Sequence, residues 1–296
     1  MNKILITGAQ SFVGTNFIAH SKFTEIREVS LIDNSPEEIN FNEVDVVLHL
    51  AAIVHQSKKT PESEYFKVNR DLCLKVAEYA KKGKVKHFIF LSTFKVYGDI
   101  IPDSVILNEQ SSCFPTDAYG RSKHEAELGL IKMEEPDFIV SIIRTPLVYG
   151  VGVKANMLSL VKLVNTLSIL PFGSMNNNRC YTFVENLVGF IDRIIEIKAS
   201  GIFIAMDEKP LSTTELVRFI AKYLGKKVYL FRMPKLLTSL LKISLPGFYN
   251  RLYGSFRSEN IKTIEILEYK PHYSSEEGIK KMILSCFRNK EEKHNK

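Results

Sequence analysis

The sequence predicts an α/β fold, a doubly wound parallel sheet followed by a small α+β C-terminal lobe. Three observations carry this. Short, nearly continuous apolar runs alternate with segments of helical periodicity over the first half of the chain, as strands covered on both faces and their crossover helices must. The first run ends in a glycine turn, Thr7-Gly8-Ala9-Gln10-Ser11-Phe12-Val13-Gly14, that opens a helix. After Gly150 the alternation loosens into helices with few strands.

Lys3–Thr7 reads as the first strand and Ser11–His20 as its helix. Glu28–Ile32 is a second strand ending at Asp33, and Asp45–Leu50 a third. Only eleven residues separate Asp33 from Asp45, too few for a helix and a further strand. A crossover helix and a strand are therefore expected to be missing there. Glu64–Lys82 is helical, His87–Ser92 extended, and the next helix runs to about Glu134, where Pro136 stops it. Phe138–Ile143 completes the alternation. Beyond it, Lys154–Leu167 and Glu185–Ile197 read as helices and Ile202–Ala205 as a strand. Thr213–Leu224 is a helix behind Ser212, with Glu215 placed to close a capping box. Pro234–Tyr253 is apolar and helical, broken at Pro246-Gly247. Residues 286–296 read as a disordered basic tail.

The 296 residues, 45% hydrophobic, suffice for one large α/β unit or two small ones. No apolar run approaches the roughly 18 residues of a spanning helix, so stable membrane insertion is not expected. The N-terminus enters a strand directly, without a signal-peptide layout. Cys73, Cys113, Cys180 and Cys286 are scattered, which fits free thiols in a reducing cytoplasm and no metal site. Net charge is +7. No basic-aromatic stripe accompanies it, so nucleic acid is not the expected partner.

A glycine turn opening a helix aims backbone N–H groups and the helix dipole at a dinucleotide pyrophosphate. Gly8 and Gly14 fit that role, with Gln10, Phe12 and Val13 completing the turn. Ser11 stands where a middle glycine is usual; it needs only ordinary backbone angles and adds a hydroxyl. Asp33 follows about twenty residues later, where a carboxylate binds the adenosine ribose and favours NAD, with NADP not excluded. It equally suits the start of a turn, Asp33-Asn34-Ser35-Pro36. Tyr119 and Lys123 fall one turn apart on a single helix face. A nearby ammonium and a positive nicotinamide would draw the phenol down from its ordinary value of about 10, making a proton shuttle beside a hydride. Lys123 would also hold the nicotinamide ribose. Thr93, at a strand end on the carboxyl edge, is the second hydroxyl for the substrate oxygen. Singly, each has a plainer reading, a chance helix spacing or a turn cap.

With these residues the chain resembles the extended short-chain dehydrogenase/reductases, in the NAD-dependent epimerase/dehydratase group acting on nucleotide sugars. The likeness runs from Met1 to about Leu284. It rests on Thr7–Gly14, His49-Leu50-Ala51-Ala52, Asn69 in Tyr65–Asn69, Leu91–Gly98, Tyr119–Lys123 and Arg144–Gly150. It implies a Rossmann NAD(P)-binding domain over 1–150 and 181–205, and a substrate-binding lobe over 151–180 and 206–285. It further implies that Leu50, Ala51 and Ala52 line the cofactor, that Asn69 supports the catalytic strand, and that Pro146 approaches the nicotinamide. Arg179 would clamp a substrate diphosphate, as a guanidinium fork suits phosphate oxygens. Asn156 and Lys154 would assist it, and Lys95 and His55 would lie near the sugar. Family dehydratases carry an Asp-Glu pair where this chain has Phe94 and Lys95, so dehydration is not expected. What remains is redox chemistry at position 4 of a UDP-hexose or UDP-N-acetylhexosamine, as 4-epimerase or 4-keto reductase. The implied product is a surface polysaccharide precursor, made by a cytoplasmic homodimer. The alternative is a catalytically inactive NAD(P)-binding scaffold or sensor. Pro234–Arg251, with Lys235, Lys242 and Arg251 among leucines, either packs over the substrate lobe or touches a membrane surface.

Overall fold

A computed structural model describes residues 2–54, 60–99, 101–102 and 104–294. His55 lies outside the described residues. In chain order the elements begin with β1 (Ile4–Thr7), α1 (Phe12–His20), β2 (Ile26–Val29) and β3 (Val46–His49). A helix follows in three parts: α2 (Glu62–Phe66), a π-helical stretch at Lys67–Leu72, and α3 (Cys73–Lys82). Next come β4 (His87–Thr93), α4 (Ala118–Met133), β5 (Ile139–Thr145) and β6 (Leu147–Tyr149). The second half holds α5 (Ala155–Thr166), β7 (Ile169–Leu170), β8 (Tyr181–Phe183), α6 (Val184–Ile197) and β9 (Gly201–Ile204). It closes with α7 (Thr213–Tyr223), β10 (Tyr229–Leu230), α8 (Lys235–Ser244), α9 (Pro246–Tyr253), α10 (Ile261–Leu267) and α11 (Ser275–His294).

Six parallel strands form one sheet in the order β2-β1-β3-β4-β5-β9. Side chains alternate across it. Ile4, Ile6, Val46, Leu48, Ile89 and Ile143 face one core with residues of α1 and α6. Leu5, Val47, Phe88, Phe90, Val140 and Ile142 face the other, with residues of α3 and α4. Burial on both faces is why these strands read as unbroken apolar runs. A third cluster, around Val161, Leu170, Phe172, Val217, Ile220 and Ile283, joins α5, α7 and α11. The doubly wound sheet is therefore as expected.

The shortened second unit is also present: only a 3-10 turn at Pro36–Glu38 separates β2 from β3, which leaves β2 at the sheet edge. The predicted capping box at Ser212 and Glu215 forms, with Ser212 N donating to Glu215 at 2.8 Å and Glu215 N to the Ser212 hydroxyl at 3.1 Å. Three details differ. The second strand stops at Val29, because its only neighbour, β1, ends opposite it at Thr7. The pairs β6–β8 and β7–β10 had no periodic signal, being two or three residues long. The last helix continues to His294 through a stretch expected to lack structure, where Lys and Glu are good helix formers.

Candidate active site

The glycine turn lies against the loop that follows β3. Gly8 has φ +94°, and a Cβ there would sit 2.7 Å from the Ala51 nitrogen, so only glycine allows the two backbones this close. That contact brings Gly8 beside Leu50 and Ala51. Ser11 has φ −68° and ψ 152°, ordinary extended angles, and caps α1 by accepting from Gly14 N at 3.2 Å. As an acceptor there, the hydroxyl retains its proton for an anion. Gln10 takes φ 58° and donates its N–H to Glu28 Oε1 at 3.2 Å. A pared backbone cradle at a positive helix terminus fits a pyrophosphate.

Asp33 is not at the strand end. It is exposed in a turn four residues past Val29. Ser30 holds this turn, accepting at its hydroxyl from Ile32 N and at its carbonyl from the Asn34 amide, at 3.3 and 2.9 Å.

At the other end of the edge, β4 delivers Thr93, which pairs in register with Thr145 of β5. The Thr93 hydroxyl accepts from Lys95 N at 3.3 Å and so caps the turn Phe94–Tyr97. Asp117 caps α4 by accepting from Gly120 N at 2.6 Å, which sets Tyr119 and Lys123 in the first two turns. The Tyr119 phenol lies beside the Thr93 hydroxyl. Burial pushes that phenol up to about 12, the Thr93 hydroxyl opposes the rise, and Asp117 adds to it. Lys123 is 2% exposed, with Nζ 3.8 Å from the centre of the Phe90 ring. Burial draws its ammonium down to about 8, against the pull of Cys73 and Glu127. Desolvation dominates at both groups, and each is shifted toward its neutral form. His49 is likewise held neutral, lowered to about 3 by burial and then by Lys123. Its Nδ1 lies 2.8 Å from the Thr7 hydroxyl.

Behind the pair sits a buried network that the sequence reading missed. Arg144 and Glu127, 4% and 0% exposed at their side chains, form an ion pair at 2.7 Å. Ser92 donates to Glu127, and Arg144 donates to the Tyr97 phenol at 3.1 Å. Two signals were available: an arginine directly after the mostly apolar run Ile139–Ile143, and a glutamate one turn beyond Lys123.

Asn69 departs from its implied role. It lies in the π-helical stretch and is fully buried. Its amide accepts from Ile53 N at 2.8 Å and donates to Ile53 O and the Ser122 hydroxyl, each at 3.0 Å. It therefore ties the loop after Ala51 and Ala52 to α4 rather than supporting β4. π-bulges recur at functional sites for such reasons.

Phe94 is 5% exposed and stacked on Phe256 at 5.5 Å, and Lys95 is ion-paired to Asp99 and, at 3.0 Å, to Asp117. Neither offers the acid of a dehydratase, and Lys95 braces the α4 cap through Asp117. Pro146 follows Thr145 at the end of β5 and is partly buried. Lys154 and Asn156 are exposed at the start of α5. Arg179 donates to Asn250 O at 3.0 Å and Gly254 O at 3.2 Å, which anchors it to the end of α9. Among the described residues Cys113, His124 and Glu127 come within 4.8 Å of one another, a grouping not foreseen from their spacing. The Arg144 charge on Glu127 opposes a cation there.

Residues 4–203 match the model of the NAD dependent epimerase/dehydratase family. A UDP-glucose 4-epimerase of Vibrio cholerae is 33% identical over 307 residues, covering 94% of this chain and 93% of that protein. An N-acetyl-alpha-D-glucosaminyl-diphospho-ditrans,octacis-undecaprenol 4-epimerase of Escherichia coli O157:H7 is 26% identical over 258 residues, covering 79% and 76%. Among solved structures, UDP-glucuronic acid 4-epimerase from Bacillus cereus in complex with NAD superimposes with a TM-score of 0.75 at 20% identity, covering 97% of this chain and 99% of that one.

Proposed function

The chain belongs to the NAD-dependent epimerase/dehydratase family, and on that footing we propose that it oxidises and reduces position 4 of a UDP-hexose or UDP-N-acetylhexosamine. The observation that carries this is the Tyr119 phenol beside Thr93, with Lys123 one turn on along α4, at the carboxyl edge of the sheet. Gly8, Ser11 and the start of α1 hold the pyrophosphate, with Leu50, Ala51, Ala52 and Pro146 along the cofactor and Asp33 toward its ribose. When bound, NAD(P) supplies the carbon that accepts or returns hydride. Thr93 orients the sugar O4. As phenolate, Tyr119 would take the O4 proton while the C4 hydride leaves, becoming the phenol, and as phenol it would return that proton when hydride comes back. Lys123 steadies the phenolate from which the first transfer starts and to which the second returns. Arg179, with Asn156 and Lys154, holds the substrate diphosphate.

The 4-epimerase relatives support a cofactor that stays bound through both half-reactions. A second reading, the 4-keto reductase, is favoured by the short β2–β3 connection, which leaves less protein over the adenosine, and by a Tyr119 phenol already neutral and ready to donate. We place the enzyme in the cytoplasm, making a surface polysaccharide precursor. It works as a homodimer joined through α4, where Leu128 and Ile131 are exposed.

Mass spectrometry of small molecules released on denaturation, with a dinucleotide consumption assay on a UDP-4-keto-6-deoxy-N-acetylhexosamine, tests this. Stoichiometric NAD without net consumption makes it an epimerase. An empty site with NAD(P)H oxidised by the keto sugar makes it a reductase. No nucleotide and no turnover would overturn the proposal in favour of a non-catalytic scaffold.

A further inference from the structure

None of the ten residues of α8 is buried. Leu236, Leu240 and Ile243, spaced i, i+4, i+7, form one stripe and are 81%, 60% and 80% exposed. A surface helix ordinarily turns such a stripe inward, and contiguous exposed apolar side chains mark a contact site. Leu237 and the cap residue Leu245 extend it. Lys235 and Lys242, both exposed, flank the stripe on one side, and Lys242 Nζ lies 5.8 Å from the Tyr249 ring of α9.

The sequence around α8 is one-signed. Between Leu216 and Ser258, a stretch bounded by Glu215 and Glu259, the chain carries nine Lys and Arg and no Asp or Glu, one of them, Lys222, paired with Glu276. Against a total of +7, the rest of the molecule is slightly acidic. The basic balance of this protein is therefore concentrated in the segment that carries α8, a charge asymmetry that calls for an anionic partner.

We propose that α8 docks this protein on an anionic phospholipid bilayer. The Leu236–Leu240–Ile243 stripe enters the interfacial layer, and Lys235, Lys242 and the basic run from Lys226 to Arg232 meet the headgroups. Ten residues extend about 15 Å, half the hydrocarbon thickness, so the helix lies in the surface plane. No helix among the described residues is long and apolar enough to cross a membrane. A second copy is the poorer occupant, because a two-fold contact through this face would set like charges against each other. Docking would present the substrate lobe at the membrane, since α9, directly after α8, holds Arg179 through its carbonyls. The inference goes beyond the proposed reaction and does not depend on it.

Co-sedimentation of the full-length protein with vesicles tests it, using equimolar phosphatidylcholine and phosphatidylglycerol against phosphatidylcholine alone. The wild type is expected in the anionic pellet, at least about tenfold more than with neutral vesicles, and released near 0.5 M salt. Leu240→Glu/Ile243→Glu and, separately, Lys235→Glu/Lys242→Glu should each lower binding by about tenfold with unchanged melting temperature. A wild type left in solution by both vesicles overturns the proposal, as does binding that neither double variant weakens. A wild-type dimer that Leu240→Glu/Ile243→Glu turns into monomer, with no vesicle binding, assigns the face to a second copy and also overturns it.

Discussion

The two ends of the sheet's carboxyl edge are built differently. At the end where β4 and β5 meet, Thr93 is paired to Thr145, Lys123 is buried, and Glu127, Arg144, Ser92 and Tyr97 form a closed network behind them. At the other end β2 has one neighbour, Asp33 and Asn34 are exposed, and a single 3-10 turn leads on to β3. The first region is over-determined, so a side chain there cannot move without breaking buried bonds. The second holds its polar groups in an open turn. On the proposed reading, geometry is fixed where protons and hydride move and left loose where adenosine is recognised.

Removing the phenol should separate chemistry from binding most sharply. Tyr119→Phe is expected to lower kcat by about 10²–10⁴, the usual contribution of a positioned acid or base. Cofactor and UDP-sugar affinity, read by calorimetry, should change by less than about threefold, because on the proposed reading the lost hydroxyl meets the substrate only at its reacting oxygen. Full turnover in this variant would sink the assignment. Next in size is the buried pair. Glu127→Ala leaves Arg144 uncompensated and should cost about 3–5 kcal/mol of stability. Replacing both, as Glu127→Leu/Arg144→Met, should recover most of that in a urea titration. A loss under about 1 kcal/mol for the single variant would show that the network does not brace the catalytic end.

The same contrast decides what the sequence made legible. Strands with both faces covered, the glycine turn, and Tyr119 with Lys123 each leave a strong local pattern, and all fell where expected. The missing unit between Asp33 and Asp45 was readable as a simple shortage of residues. What escaped depends on partners distant in sequence. Asn69 joins Ile53 to Ser122, and a π-helical stretch has no periodic signature of its own. The end of β2 is set by where β1 stops, not by the apolar run that continues to Ile32. The shift of Tyr119 and Lys123 toward their neutral forms comes from burial, which is invisible in their spacing.

Burial of Lys123 makes a smaller and more specific prediction. Its pKa is lowered from 10.5 to about 8 in the fold. Between those values the unfolded chain binds the extra proton, so stability rises with pH across that window. Lys123→Met removes the buried charge. It should inactivate the enzyme and yet raise stability by about 1–2 kcal/mol near pH 7, net of the lost contact with Phe90. The gain should be greatest below pH 8 and fade toward pH 10.5. Melting curves of both proteins at three pH values check this; a variant less stable at every pH would mean that the ammonium is better solvated than its 2% exposure implies.

The smallest effect should come from the open end. Asp33 is exposed, on a turn that Ser30 and Asn34 hold without it. A carboxylate facing water interacts through a high dielectric, and such contacts contribute about 1 kcal/mol or less. Asp33→Ala should therefore weaken NAD by no more than about fivefold and improve NADP by a similar factor, since the repulsion it removes is equally screened. Calorimetry with both dinucleotides reads the two numbers directly. A loss of a hundredfold or more, about 2.7 kcal/mol, would mean that Asp33 closes onto the ribose when the cofactor binds. The contrast between a rigid end and an open one would then describe the free protein alone, and the short β2–β3 connection would no longer favour a cofactor that leaves.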